Sequence, residues 1–152
     1  MAKFTCDIPA DFLSDLLDSD FSEIAEEALE EAAPVLQKSV QDSVRAVIKD
    51  KSRTDLIESF KPWKGGVKKV SNGGGAYLMG VASYGKPKKK SRRKRSDGTG
   101  SRSVTNNDIA WWLEHGNSHQ AAKPYLDRGA KAAEGKVLDI VQEVYNKKVG
   151  AT

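Results

Sequence analysis

Apolar positions near the start of the chain change period within twenty residues. Phe4, Cys6 and Ile8 alternate with polar neighbours, the rhythm of a short strand, and Pro9 closes it. Pro9 also suits the first turn of a helix, and Phe12, Leu13, Leu16 and Leu17 follow at helical spacing. Asp20, with Glu23 three residues on, resembles a capping box. The helix it opens is predicted from Phe21 to about Lys49, roughly 43 Å long at 1.5 Å per residue. Its apolar line reads Ile24, Ala28, Ala32, Leu36, Val40, Val44 and Ile48, flanked by Ala25, Leu29, Ala33 and Val47. Glu26, Glu27, Glu30 and Glu31 belong to the outer face, and Pro34 predicts a kink or a break.

Beyond this helix, Thr54 is placed to cap a short helix from Asp55 to Ser59, with Leu56, Ile57 and Phe60 inward. Trp63, Val67 and Val70 then lead into Asn72-Gly73-Gly74-Gly75, and Ala76 to Tyr84 reads as a strand. Glycine-rich turns between two apolar runs predict a hairpin. Lys86 to Arg95 and the following Ser96-Asp97-Gly98-Thr99-Gly100 offer nothing to bury, so a solvated loop is expected over 86–105. Structure resumes at Asp108 with Ile109, Trp111, Trp112 and Leu113. After a polar turn from Gly116 to Gln120, Pro124 opens a last helix carrying Tyr125, Leu126, Ala130, Ala133, Val137, Leu138, Val141, Val144 and Tyr145. Gly129 and Gly135 each weaken that helix by up to about 1 kcal/mol relative to Ala, so tertiary packing must hold it. The expected fold is α+β: a small antiparallel β-sheet built on the 60–84 hairpin, packed against a long N-terminal helix and a C-terminal helix. One domain spans 1–152, with a basic insertion at 86–105.

Composition narrows the class. At 152 residues one domain buries roughly 70% of its unfolded surface, which suffices for a core. The longest apolar runs fall far short of a membrane span, and the N-terminus has no signal-peptide stretch, so the chain is expected to stay where it is made. Cys6 is the single cysteine, which excludes an internal disulfide and a cysteine zinc site. Its expected role is inert packing.

The net charge of +4 conceals two opposed regions. Residues 1–50 carry 4 basic and 12 acidic side chains, residues 51–105 carry 15 basic and 3 acidic, and the remainder is balanced. Within the second region, eight of the ten residues from Lys86 to Arg95 are Lys or Arg. Lys88, Lys89, Lys90, Arg92, Arg93, Lys94 and Arg95 are therefore candidate contacts. Three readings stay open: phosphate-backbone binding by counterion release, docking on an acidic protein surface, or simple solvation. No amide or aromatic side chains interleave to read bases.

Catalytic motifs are not found. Glu114-His115-Gly116-Asn117-Ser118-His119 holds both histidines, yet it reads as a turn and lacks a second acidic cluster for a metal. Gly73-Gly74-Gly75 is not followed by Gly-Lys-Ser/Thr, and no Gly-x-Ser-x-Gly elbow occurs. No cofactor fingerprint is present. Neighbouring Trp111 and Trp112 must point to different faces, one a candidate core residue and the other a candidate interface anchor.

Trp111-Trp112-Leu113-Glu114-His115-Gly116-Asn117-Ser118, then Ala122-Lys123-Pro124-Tyr125-Leu126, resembles the tail-component family of long-tailed phages. That family shows an aliphatic-Glu-aromatic-Gly-Thr-Ser stretch, a polar loop, Ala-Arg-Pro-Phe-Leu and a C-terminal helix. Thr54-Asp55-Leu56-Ile57-Glu58-Ser59 is similar to its Thr-Gly-x-Leu-x-x-Ser segment, with Asp55 in place of the Gly. The resemblance covers most of residues 8–148, and the basic run lies outside it. It implies a non-enzymatic virion protein of a tailed bacteriophage, a tail-completion or head–tail joining protein. Such a protein forms a ring, expected to be a hexamer, in the neck between the head connector and the tail. The implied partners are copies of the chain, other neck and tail proteins and, in the channel, genomic DNA, with no membrane and no cofactor. The implied location is the virion, and the host cytoplasm during assembly. The rival from another class is a DNA-binding accessory protein using 86–95 on phosphates. A small metal-dependent nuclease using His115 and His119 is a third.

Overall fold

The computed structural model describes residues 4–5, 21–48, 53–70, 77–88, 92–94 and 100–149. Several expectations fall outside these residues: Cys6 and Ile8, the helix bearing Phe12 to Leu17, the cap at Asp20, the turn at 72–75, and Lys89, Lys90 and Arg95.

The fold is α+β, a small antiparallel sheet with long N- and C-terminal helices. Helix α1 (Phe21–Val47) runs unbroken through Pro34, so the break allowed at that position is not taken. Pro34 is exposed, while Ala32 and Leu36 on either side of it are buried, and this packing holds the helix together where the proline removes one backbone hydrogen bond. The apolar line behaves as its spacing predicts: Ala28, Ala32, Leu36, Val40 and Val44 are buried, and Glu23, Glu26, Glu27, Glu30 and Glu31 are exposed.

Helix α2 (Thr54–Glu58) starts one residue earlier than expected. Arg53 precedes it without a side-chain cap, so Thr54 is its first residue and not its cap. Leu56, Ile57 and Phe60 are buried as predicted.

The hairpin is present but bulged. Strand β2 (Phe60–Pro62) pairs antiparallel with β5 (Val81–Ser83), and β3 (Lys68–Lys69) pairs antiparallel with β4 (Tyr77–Met79). Between β2 and β3 the chain makes an excursion over 63–67, closed by a bond from Gly66 N–H to Trp63 C=O at 3.1 Å. The single strand expected over 76–84 is correspondingly interrupted at Gly80. A Cβ there would lie 2.3 Å from the Trp63 indole, so the ring occupies the space a side chain would need. Strand β1 (Phe4–Thr5) adds to the other side of β4.

The outer edge of β2 is closed by side chains. Gln37 and Gln41 both donate to the Phe60 carbonyl at 3.0 Å, and Pro62 has no N–H to offer. These bonds also fasten the sheet to α1. The buried hydroxyls of Ser59, just before β2, and Ser83 of β5 lie 2.6 Å apart and tie the two segments together from within.

The expected basic loop contains a second pair of strands. β6 (Arg92–Lys94) pairs antiparallel with β7 (Ser101–Ser103) in a two-stranded sheet of its own. Pro87 is buried, against the expectation that the run could bury nothing, and strand pairing satisfies backbone groups whatever the side chains.

Helix α3 (Asn106–His115) begins two residues before the expected Asp108, capped by Thr105. Helix α4 (Leu126–Val149) lies antiparallel along α1, as two contacts along its length and one just before its start show. Lys148 pairs with Glu27 at 2.7 Å, Ser39 Oγ donates to Gly129 C=O at 2.7 Å, and Lys123 Nζ donates to Val47 C=O at 3.2 Å. A Cβ at Gly129 would sit 2.9 Å from the Val40 Cα, so this glycine permits the closest approach of the two helices. Ala133, Val137 and Val144 of α4 are buried, but Leu138 is 45% exposed.

Candidate functional site

The motif residues of 110–126 gather where α3, the turn after it and the start of α4 meet. Glu114 Oε2 accepts from the backbone N–H groups of Tyr125 at 2.9 Å and Leu126 at 3.0 Å. It therefore caps α4 from a distance, satisfying donors that a helix start leaves free and adding negative charge at the positive end of the dipole. Tyr125 is 1% exposed; its ring meets Phe60 edge-on at 5.5 Å, and its hydroxyl donates to Ala110 C=O. Burial, and secondarily the Glu114 charge, push its phenol pKa up, so it remains protonated. Leu113 is buried, Leu126 is half-buried, and Leu113 C=O accepts from Lys123 N–H at 2.8 Å. The Lys123 ammonium meanwhile donates to the Val47 carbonyl at the end of α1.

Gly116 takes a φ of +78°, and a Cβ there would meet the Ala122 backbone nitrogen at 2.7 Å. Both facts demand glycine. Asn117 Oδ1 accepts from the N–H groups of His119 and Gln120, closing the polar turn. Ser118 and Pro124 are exposed on its rim. Thus Glu114, Gly116, Lys123 and Tyr125 hold three helices together, and among the described residues no group of three or more His, Cys, Asp or Glu could hold a metal.

One large apolar residue of the motif faces solvent. Trp111 is 51% exposed and stacks on His115, with ring centroids 4.7 Å apart and planes inclined by 20°. Trp112 is half-buried, so the two indoles do diverge, but neither is a fully buried core residue.

Thr105 and Asp108 form a reciprocal capping box on α3. The spacing Thr-x-x-Asp is visible in the sequence, although the sequence reading started this helix at Asp108 itself. Arg102 of β7 grips Asp108 through two nitrogens, at 2.7 and 2.5 Å. This pairing holds the Asp108 carboxyl well below the usual carboxylate range, with the Thr105 N–H and hydroxyl adding to the effect. The basic hairpin β6–β7 is thereby tied to α3. Its entrance is held by Asp55, whose carboxylate accepts from Lys88 N–H at 2.9 Å, a bond that lowers the Asp55 pKa.

Among the candidate basic contacts, Lys88 is exposed, and Arg92, Arg93 and Lys94 lie on β6. Lys61, Lys64, Lys68, Lys69 and Lys86 are also exposed and extend the cationic surface beyond the run singled out in the sequence. Lys64 and Lys68 sit over the rings of Tyr84 and Trp63, at 5.3 and 5.4 Å from the centroids. No described helix is long and apolar enough to cross a membrane.

The chain matches no family model, no curated protein and no solved structure. That finding corrects the designation implied by the resemblance: a bacteriophage virion protein, tail-completion or head–tail joining protein, or hexameric neck connector finds no related protein to carry it. The motif pieces are short, and the structure gives Glu114, Gly116, Lys123 and Tyr125 an internal reason to occur in that order.

Proposed function

We propose that this chain is a non-catalytic assembly subunit that docks onto copies of itself, one surface meeting a different one, and closes into a ring. The observation that supports it is the segregation of charge and apolar surface. Exposed glutamates line α1, exposed lysines occupy the bulged hairpin and its exit, and Trp111 stands in solvent on α3. Complementary surfaces on separate elements fit a heterologous contact, which generates rings when the rotation closes. The motif histidine stacks on Trp111 and the motif glutamate caps α4, roles that suit a structural joint.

Mass photometry of the purified protein at rising concentration tests this reading. A closed oligomer of single stoichiometry, loosened by salt because its rim pairs are screened, is expected. A chain that stays monomeric at hundreds of micromolar, or that turns over a substrate, overturns it. The second reading, a phosphate-backbone binder, draws on the continuity of Lys86 and Lys88 with the run to Arg95. Monomers that bind duplex DNA with a steep salt dependence would favour it instead.

A further inference from the structure

We propose that the outer face of the bulged hairpin binds single-stranded nucleic acid, with the Trp63 and Tyr84 rings as stacking surfaces and Lys61, Lys64 and Lys68 as phosphate contacts. This goes beyond both readings above, since it places the contact on the β2–β5 sheet and not on the basic run. Alternation along β5 turns Ala82 and Tyr84 away from the buried Val81 and Ser83. Lys61 lies opposite Ala82 on the same face, and the Trp63 ring lies against Gly80. The Tyr84 hydroxyl accepts from the Lys64 N–H at 3.1 Å, which holds this ring beside the residue next to Trp63. Each ring carries an ammonium group: Lys64 Nζ stands 5.3 Å from the Tyr84 centroid, and Lys68 Nζ 5.4 Å from that of Trp63.

Among the described residues Lys61, Lys64 and Lys68 make no ion pair, whereas Arg102, Lys131, Lys147 and Lys148 each do. Glu30, which lies beside Gly66, is not within ion-pairing distance of them. The face therefore calls for an anion from outside. Carboxylates of an acidic protein would satisfy the lysines by drawing them off the rings, leaving the rings to water. A nucleotide meets both needs, with a phosphate for the ammonium and a π face for the ring it uncovers. A duplex keeps its bases stacked inside and offers this face phosphates alone. A lipid surface takes up apolar side chains that protrude, but Trp63 and Tyr84 are half-buried. The large apolar residues that do protrude, Trp111 and Leu138, lie on α3 and α4. A flexible single strand is the polyanion whose bases can reach both rings.

The test is fluorescence anisotropy of the full chain with a labelled oligothymidylate of about sixteen nucleotides, beside a duplex of the same length and polyphosphate, a polyanion without bases. The single strand is expected to bind about tenfold more tightly than either, the effect of one base stack. Tyr84→Leu keeps apolar bulk and removes the ring; it should weaken single-strand binding about tenfold and leave duplex binding unchanged. Tyr84→Phe keeps the ring and should bind as wild type does. Lys61→Gln, Lys64→Gln and Lys68→Gln together should flatten the slope of log K against log salt by about 2, at roughly 0.7 per phosphate contact. Only exposed side chains change in this triple variant, so it carries the test should Tyr84→Leu fail to fold by circular dichroism. Equal binding of single strand, duplex and polyphosphate overturns the face and leaves a charge-only contact through the basic run standing. A wild type that does not bind the single strand overturns it and leaves the ring reading untouched. A triple variant that loses oligomers in sedimentation velocity but keeps its single-strand affinity overturns it in favour of self-docking.

Discussion

Replacing Glu114 by Ala should loosen the joint between α3 and α4. In the native protein one carboxylate oxygen satisfies two backbone donors, Tyr125 N–H at 2.9 Å and Leu126 N–H at 3.0 Å. Losing a capping side chain costs about 0.5–2 kcal/mol. Here Tyr125 is buried, so its N–H has little access to replacement water, and an unsatisfied buried donor costs about 1–3 kcal/mol. The two figures overlap in what they count, which places the expected loss at about 1.5–3 kcal/mol. For a domain of this size each kcal/mol lowers Tm by roughly 2–4 °C, giving a fall of roughly 3–12 °C. Glu114→Gln keeps an acceptor and loses the charge that favours the helix start, so its loss should stay near the 0.3–1 kcal/mol of a dipole term. Urea denaturation of the three proteins, with midpoints and slopes compared, measures both values. An Ala variant within 0.5 kcal/mol of wild type would refute the capping role. A Gln variant as unstable as the Ala variant would refute the separation of hydrogen bonding from charge.

Four further outcomes follow from the same structure. Gly135→Ala should stabilise by up to about 1 kcal/mol, because a Cβ there meets nothing within 4 Å and the unfolded chain loses freedom. Gly129→Ala should destabilise, by about 1–3 kcal/mol of overpacking against the Val40 backbone, and thermal melts showing the same sign for both would contradict the helix packing described. Asp108→Asn should cost about 1–2 kcal/mol at neutral pH through its cap and its partly exposed Arg102 partner. Because the folded carboxyl titrates below its unfolded value near 3.9, that contribution is complete above about pH 4–5 and fades as pH falls further. The gap between wild type and variant should therefore narrow towards pH 2, and a gap constant with pH would exclude the pairing as its cause. Gly80→Ala should cost about 1–3 kcal/mol by displacing the Trp63 ring, visible as a changed near-UV circular dichroism signal. An unaltered signal and midpoint would mean that the ring yields freely.

The long helices, the short helix at 54–58 and the hairpin were legible in the residues because each rests on local rules. A seven-residue apolar line at helical spacing can be buried in only one way, and Ala28 to Val44 are buried as written. Local periodicity carries no information about partners distant in the chain. Nothing near Glu114 shows that its carboxylate will cap a helix eleven residues on, or that Lys123 will reach the end of α1. The break at Gly80, the place left open beside Trp63, the strand pairing of a purely polar basic run and the exposure of Trp111 were likewise decided by packing. Each depends on which surfaces meet when the elements assemble. The amino-acid order determined the elements and their inward faces through backbone geometry and burial. Only the assembled fold decided which polar groups became internal fastenings and which aromatic was left facing solvent, since both are properties of contacts between segments far apart along the chain.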